Sequence, residues 1–295
     1  MPTYDYTTVG HVTADVLADG SRRPGGGAFY SALQAARLGQ RALIITQGVP
    51  TEIEELLAPY RGELELEVFA ARQTTTLQTL GHGAARTQRV LAWAGPIARA
   101  VTVDSAILHL APVARETAGQ WRGRADFIGV TPQGLVRTWA GPGAEIGQVP
   151  LEPQQLPARR DAIVISHAER DSCSWLIVAR DQNGRHSAGS TRPGGGAASA
   201  SGTLVAVTAG ADATVLHIPE REVLELEVPR IEHLVDDLGA GDVFAAAFFT
   251  SLLEGRTPVE AAMVGNAAAA VRIGGAGPGA VGGRDAIQAR LRASR

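Results

Sequence analysis

Six short runs restrict this chain more than any other feature: TYDYTTVG, RALIITQG, SAILHLA, ADFIGV, DAIVIS and TLVAVTAG. Several are apolar without alternation, and a strand lacking a polar side has to be covered on both faces. Between them lie stretches with helical spacing, at 28–38, 51–57, 113–121 and 169–179. After Gly241 the pattern turns mainly helical, at 242–253, 258–272 and 284–291, with Pro258 suited to a first helical turn. Strands alternating with helices predict an α/β fold built on a mostly parallel sheet. The 295 residues are enough for a substantial core.

Two segments break that rhythm. Residues 74–93, TTTLQTLGHGAARTQRVLAW, read as two strands around a glycine-rich turn. A hairpin has no place inside a doubly wound sheet, so a projecting flap is expected. Residues 184–202 are rich in Gly, Ser and Ala and read as a connector, although the glycines at 194–196 could cradle an anion.

Composition removes several functions. A net charge of −3 speaks against a nucleic-acid surface, and no apolar run reaches the length of a membrane span. The start MPTYDYTTVGHV has neither a basic nor an apolar leader region, and Cys173 is the single cysteine; both fit a reducing cytoplasm. All 27 basic residues are arginine. Without lysine there is neither a Walker-type phosphate loop nor a Schiff base.

Chemistry concentrates in two glycine clusters. In VDDLGAGDVFAAAFFTSLLEG the residues Gly239, Ala240 and Gly241 precede an apolar helix, so their amides would stand unpaired at its positive end. Such a nest stabilises a phosphoryl group in transfer, and Asp242 beside it could accept the proton of an attacking hydroxyl. The alternative is a tight turn with Asp242 merely favouring the helix dipole. In RPGGGAFYSALQAARLG, Gly26 and Gly27 run into a second amphipathic helix, with Asp15 shortly before them. An acid beside accessible backbone suits a polyhydroxyl ligand. A turn and helix entry is the plainer reading.

With these residues in place, the chain resembles the PfkB/ribokinase family of carbohydrate kinases nearly end to end. DDLGAGD, at 236–242, resembles the family's C-terminal signature, and GGGAFYSALQAARLG its N-terminal one. The resemblance implies a ribokinase-like three-layer α/β sandwich, one domain over 1–295, with a β lid from about 11–23 and 67–95. It implies transfer of the γ-phosphoryl group of ATP, with Mg²⁺, to an alcohol. Asp242 is then the catalytic base, and Gly239, Ala240 and Gly241 the anion hole. Asp15, Gly26, Gly27 and the lid residue Arg89 would meet the substrate, with Tyr30 where relatives place a sugar-binding asparagine and His11 beside the acid. Thr208, Gly210, Asp212, Asn266 and Gly277 would line the nucleotide site. Glu169, in SHAE, aligns with a glutamate that acts on Mg²⁺ indirectly, although Ser166 replaces the usual asparagine. Asp236 and the 274–279 loop would hold a monovalent cation such as K⁺.

The pattern of departures is similar to the myo-inositol kinase branch, so a cyclic polyol is the expected acceptor. A base stacked on Phe29 and Tyr30 would instead suit a nucleoside. A regulatory homologue that binds without turnover is the third reading. A homodimer formed through the lid is also expected.

Overall fold

Apolar runs become strands where both faces of the backbone can be buried, and this dictates the centre of the molecule. The computed structural model describes residues 1–81, 86–97, 100–117, 121–177, 202–221, 223–231 and 233–293. Residues 184–201 of the expected connector at 184–202, the flap-turn residues 82–85, residues 118–120 of the expected helix at 113–121, and Val178 and Ala179 of the expected helix at 169–179 lie outside them.

Strands β1 (Tyr4–Val9), β4 (Ala42–Gly48), β5 (Leu64–Ala70), β8 (Val101–Leu110), β9 (Trp121–Val130), β13 (Ala162–Ser166) and β14 (Leu204–Ala209) run parallel. Antiparallel β15 (Asp212–His217) and β16 (Leu224–Leu226) close one edge. The sheet order is β16-β15-β14-β13-β9-β8-β1-β4-β5. The chain therefore leaves β1 in one direction towards β5 and later in the other towards β14. The crevice between β1 and β8, where that direction reverses, is where doubly wound folds bind ligands.

Side chains alternate across the sheet. Tyr6, Ile44, Ala162 and Ala206 enter a core shared with α1 (Gly27–Arg37), α2 (Pro50–Leu56), α3 (Ala240–Leu253), α4 (Pro258–Ile273) and α5 (Arg284–Ala293). Val9, Ile45, Ile163 and Val205 enter a second core on the opposite face. Among the described residues that face is covered by extended loops and 3₁₀ turns, including Leu135, Leu151, Cys173 and Leu176. Helix α3 is buried from Val243 to Ser251, which explains an apolar sequence without a polar stripe. Gly129 on β9 receives Phe249 of that helix, and a Cβ there would lie 2.3 Å from its ring.

A second sheet, ordered β11-β7-β6-β2-β3, stands apart from the first. It comprises β2 (Thr13–Val16), β3 (Arg22–Gly25), β6 (Thr76–Leu80), β7 (Thr87–Ala92) and β11 (Ala144–Glu145), while β10 (Arg137–Thr138) pairs only with β12 (Gly147–Gln148). The expected hairpin is thus β6 and β7, and 11–23 supplies its partner strands. Residues 67–70 are a correction: they belong to β5, at the edge of the main sheet, where LELEVFA exposes alternate side chains.

Two expected helices are absent among the described residues. Residues 113–117 form a loop because the Glu116 carboxylate accepts the amides of Val113 at 2.7 Å and Ala114 at 2.6 Å, while Arg115 takes a positive φ of 63°. From Trp121 onwards the chain is already strand β9. Residues 169–177 turn in short 3₁₀ segments, at His167–Glu169 and Ser174–Leu176, rather than in a continuous helix.

The Phe249 contact has a direct test. Gly129→Ala should lower stability by about 1–3 kcal/mol, the usual range for overpacking a filled core, as measured by chemical denaturation.

Candidate active site

Both glycine clusters end at the switch point, and they meet there. Helix α1 starts at Gly27 after Gly26, whose φ of 90° and ψ of 150° no side-chain-bearing residue adopts comfortably. A Cβ on Gly26 would lie 2.3 Å from the His11 carbonyl oxygen. On Gly27 it would lie 2.9 Å from Asp242 Oδ1 and 3.3 Å from Ala111, just beyond β8. On Gly25 it would lie 2.1 Å from Asp15 Oδ2. Three successive glycines thereby let the backbone pass between two carboxylates, and Ser31 Oγ donates to the Asp242 carbonyl at 3.2 Å.

The first turn of α3 faces the same space. Gly239 precedes it in the left-handed region, at φ 81°, and no side chain caps the helix. The Ala240 amide reaches the Asp237 carbonyl at 3.3 Å. Gly241 is exposed, with nothing within 4 Å of where its Cβ would stand. The tip is therefore open, and unpaired amides at a helix start attract anions.

Asp15 is buried, with Thr13 Oγ1 donating to its Oδ1 at 2.7 Å, and burial pushes its carboxyl up to about 6. Asp242 is half-buried, and loss of hydration there pushes its carboxyl up to about 7. The Arg137 cation draws Asp242 back down, while Glu169 and Asp15 push it up further. A carboxylate that titrates near neutrality is matched to general-base work.

Arg137 belongs to none of the sequence motifs above. It is buried, donating to the Val113 carbonyl at 2.8 Å and to Gln88 Oε1 at 2.7 Å. Glu116, inside the stretch whose spacing predicts a helix, also accepts the His11 amide at 2.8 Å and so ties the turn after β1 to the loop after β8. Its signal is a buried acid with three amide donors, which only the folded chain assembles.

Several expected residues sit elsewhere than their expected roles require. Tyr30 is 1% exposed and lies beneath Gly239, where a Cβ would touch its ring at 2.4 Å; Phe29 is fully buried as well. Neither ring can stack on a base. Arg89 points away: along β7, Thr87, Arg89 and Leu91 are exposed while Gln88 and Val90 turn inward. The inward lid residues are Gln88 and Arg86, which forms an ion pair with Asp237. His11 is buried, its Nδ1 sharing a hydrogen bond with Thr75 Oγ1 at 2.7 Å and its Nε2 without a partner.

Of the nucleotide candidates, Thr208, Gly210 and Asp212 lie at the turn from β14 to β15, the last two exposed. Buried Asn266 accepts from Thr214 Oγ1 at 2.8 Å and keeps an unpartnered Nδ2. Gly277, at φ 63°, spends its amide on Asp236 Oδ2 at 3.0 Å. Glu169 is buried and accepts the Ser166 amide at 2.9 Å in a capping box. Among the described residues no three His, Cys, Asp or Glu side chains group as a metal site.

Asp236 departs from the expected cation ligand. Arg23 binds both its oxygens, at 2.7 and 3.1 Å, and Arg272 approaches Oδ2 at 3.0 Å. The amide of Leu238 donates to Oδ1 at 3.0 Å. Bonds from Arg23, the Leu238 amide and Arg272 hold its carboxyl far below the ordinary carboxylate range against burial. Its lone pairs are already taken, so a metal ion finds no free ligand here.

Comparison with known proteins bears on the fold. Residues 188–281 match the family described as pfkB family carbohydrate kinase. The chain has a ribokinase-like fold, and the family match lies within residues 188–281. Arabidopsis thaliana ribokinase, complexed with ribose and ATP, is 16% identical, covering 98% of this chain and 99% of that one at a TM-score of 0.69. A pyrophosphate-dependent myo-inositol-1 kinase converted to a myo-inositol-3 kinase is 17% identical, covering 98% and 99% at 0.67. The Methanocaldococcus jannaschii nucleoside kinase is 14% identical, covering 99% of each chain at 0.66. No curated protein matches.

Two outcomes follow from this arrangement of charges. Arg137→Met should move the Asp242 titration, followed by carboxyl NMR, from about 7 to higher pH, because a stabilising cation is gone. Asp242 also binds its proton more tightly folded than unfolded, so it lowers stability as pH rises between its ordinary value of 3.8 and about 7. Asp242→Asn should therefore have a higher Tm than the wild type at about pH 8, with that advantage absent at about pH 4.

Proposed function

We propose that this protein is an ATP-dependent kinase that phosphorylates a hydroxyl of a small polyol or sugar, with a cyclic polyol such as myo-inositol as the acceptor. The observation that carries the reading is Asp242: a carboxylate titrating at about 7, pressed against Gly27 at the open first turn of α3. In this account Asp15 accepts hydrogen bonds from the acceptor's other hydroxyls while Asp242 takes the proton of the reacting one. That oxygen bonds to the γ-phosphorus as the bond to the ADP oxygen breaks. Charge growing on the phosphoryl oxygens is met by the amides at Gly239 and Gly241.

With no lysine in the chain, fixed positive charge near the transfer has to come from arginine. Arg137 already acts on both Asp15 and Asp242. Mg²⁺, when bound, would neutralise charge on the donor phosphates, which suits a cation that keeps most of its water and needs few protein ligands. Glu169, within electrostatic reach of Asp242, is the side chain placed to orient that water. Thr208, Gly210 and Asp212, at the turn from β14 to β15, would hold the nucleotide. The five-stranded sheet acts as the lid of a single functional unit, with Gln88 and Arg86 as its inward face.

An ADP-release assay with Mg-ATP over polyols, sugars and nucleosides tests the reading. Turnover should be greatest with a cyclic polyol, and Asp242→Asn should reduce it by about 10²-fold or more while donor affinity stays nearly unchanged. Preference for a nucleoside would reassign the acceptor. Saturable binding without turnover of any alcohol, by either ATP or pyrophosphate, would make the protein a sensor.

A further inference from the structure

Among the described residues Arg272 is the one arginine at 0% exposure, and its backbone and carboxylate acceptors all lie on two loops. Its Nη1 donates to the carbonyls of Asp236 and Gly275, each at 3.1 Å. Its Nη2 donates to the Leu238 carbonyl at 2.7 Å and to Asp236 Oδ2 at 3.0 Å. Tyr30 closes the remaining side, its ring centre 5.3 Å from the guanidinium carbon and its hydroxyl 3.5 Å from Nη2. Three carbonyl oxygens and one carboxylate around a single positive charge form the sort of oxygen cage that also holds a dehydrated monovalent ion. Here the charge is covalently attached to α4.

We propose that Arg272 is the resident cation of the loop carrying Asp242, and that its guanidinium makes this chain independent of a bound monovalent metal ion. Three facts on the loop support this. The acceptors are already filled at hydrogen-bond distance. Asp236 receives a second guanidinium from Arg23, together with the Gly277 and Leu238 amides, so neither oxygen is left for a metal. A potassium ion would also have to enter beside two fixed positive charges.

Arg272 is a positioning residue, because it touches the segments on either side of Gly239 rather than the reacting atoms. The Leu238 carbonyl that it holds immediately precedes Gly239, and Tyr30, on which it rests, supports Gly239 from below. The guanidinium thereby fixes where the amides of the α3 tip point. Its effect on turnover rests on the kinase reading; the absence of an ion site does not, and can be measured without catalysis.

The wild-type protein should show the same Tm in potassium, sodium and choline chloride at equal ionic strength, and equilibrium dialysis with rubidium should find no bound ion. Saturable stabilisation by potassium, or one rubidium held per chain, would overturn the proposal whether or not the protein is a kinase. Where turnover is detected, it should vary less than about twofold between potassium and choline, far below the roughly tenfold change that 1.4 kcal/mol would produce. A several-fold activation by potassium would also overturn the proposal. Arg272→Met should lose turnover mainly in kcat, with partial recovery on adding guanidinium or potassium. Wild-type turnover by that variant in choline would contradict the assignment. If the variant does not fold, the wild-type measurements alone decide.

Discussion

The first turns of α1 and α3 approach so closely that a Cβ on Gly27 would stand 2.9 Å from Asp242 Oδ1. This contact governs the rest of the site. It sets the Asp242 carboxylate over the end of β8 at Ala111, and it excludes enough water to raise its proton affinity towards neutrality. It also leaves Gly241 facing open space. Because both helices start at the crevice between β1 and β8, the open amides and the two carboxylates share one cleft.

Charge balance around that cleft is achieved with arginine alone. Arg137 offsets Asp15 and Asp242 without a close ion pair to either, whereas Arg23 and Arg272 saturate Asp236. The two arrangements give opposite results. A carboxylate with several donors stays ionised far into acid, and one shielded from water but loosely paired titrates near neutrality. Asp236 is accordingly a structural anion, and Asp242 is free to exchange a proton.

Some of this is legible in the chain, and the parts that are not share a cause. GAGD and GGGA place glycines and an acid at two helix starts, a pattern that reads either as an open anion nest or as a plain turn until the fold brings the two together. Arg89 stands one residue away from the inward face of its strand; alternation counted from buried Val90 assigns that face to Gln88 and Arg86 instead. Glu116 sits in a segment with helical spacing, and its three amide partners come from the turn after β1 as well as from its own loop. Arg272 reads as an ordinary basic residue in the last turn of a helix, yet the Asp236 and Leu238 carbonyls that it holds lie far from it along the chain.

The amino-acid sequence by itself determined six of the nine strands of the main sheet, the helices after Gly241, the two glycine-lined helix starts and the reliance on arginine. Hydrophobic runs, proline and glycine act locally, through burial of neighbouring residues and through backbone freedom, so a linear reading captures them. Tertiary structure alone decided which acid would titrate near neutrality, which lid side chains face inward, and that Tyr30 would support the loop from beneath. It also decided that a guanidinium would occupy the oxygen cage beside Asp236. Each of these depends on the distance between groups far apart in sequence, and electrostatic and desolvation energies are set by distance and burial rather than by order along the chain.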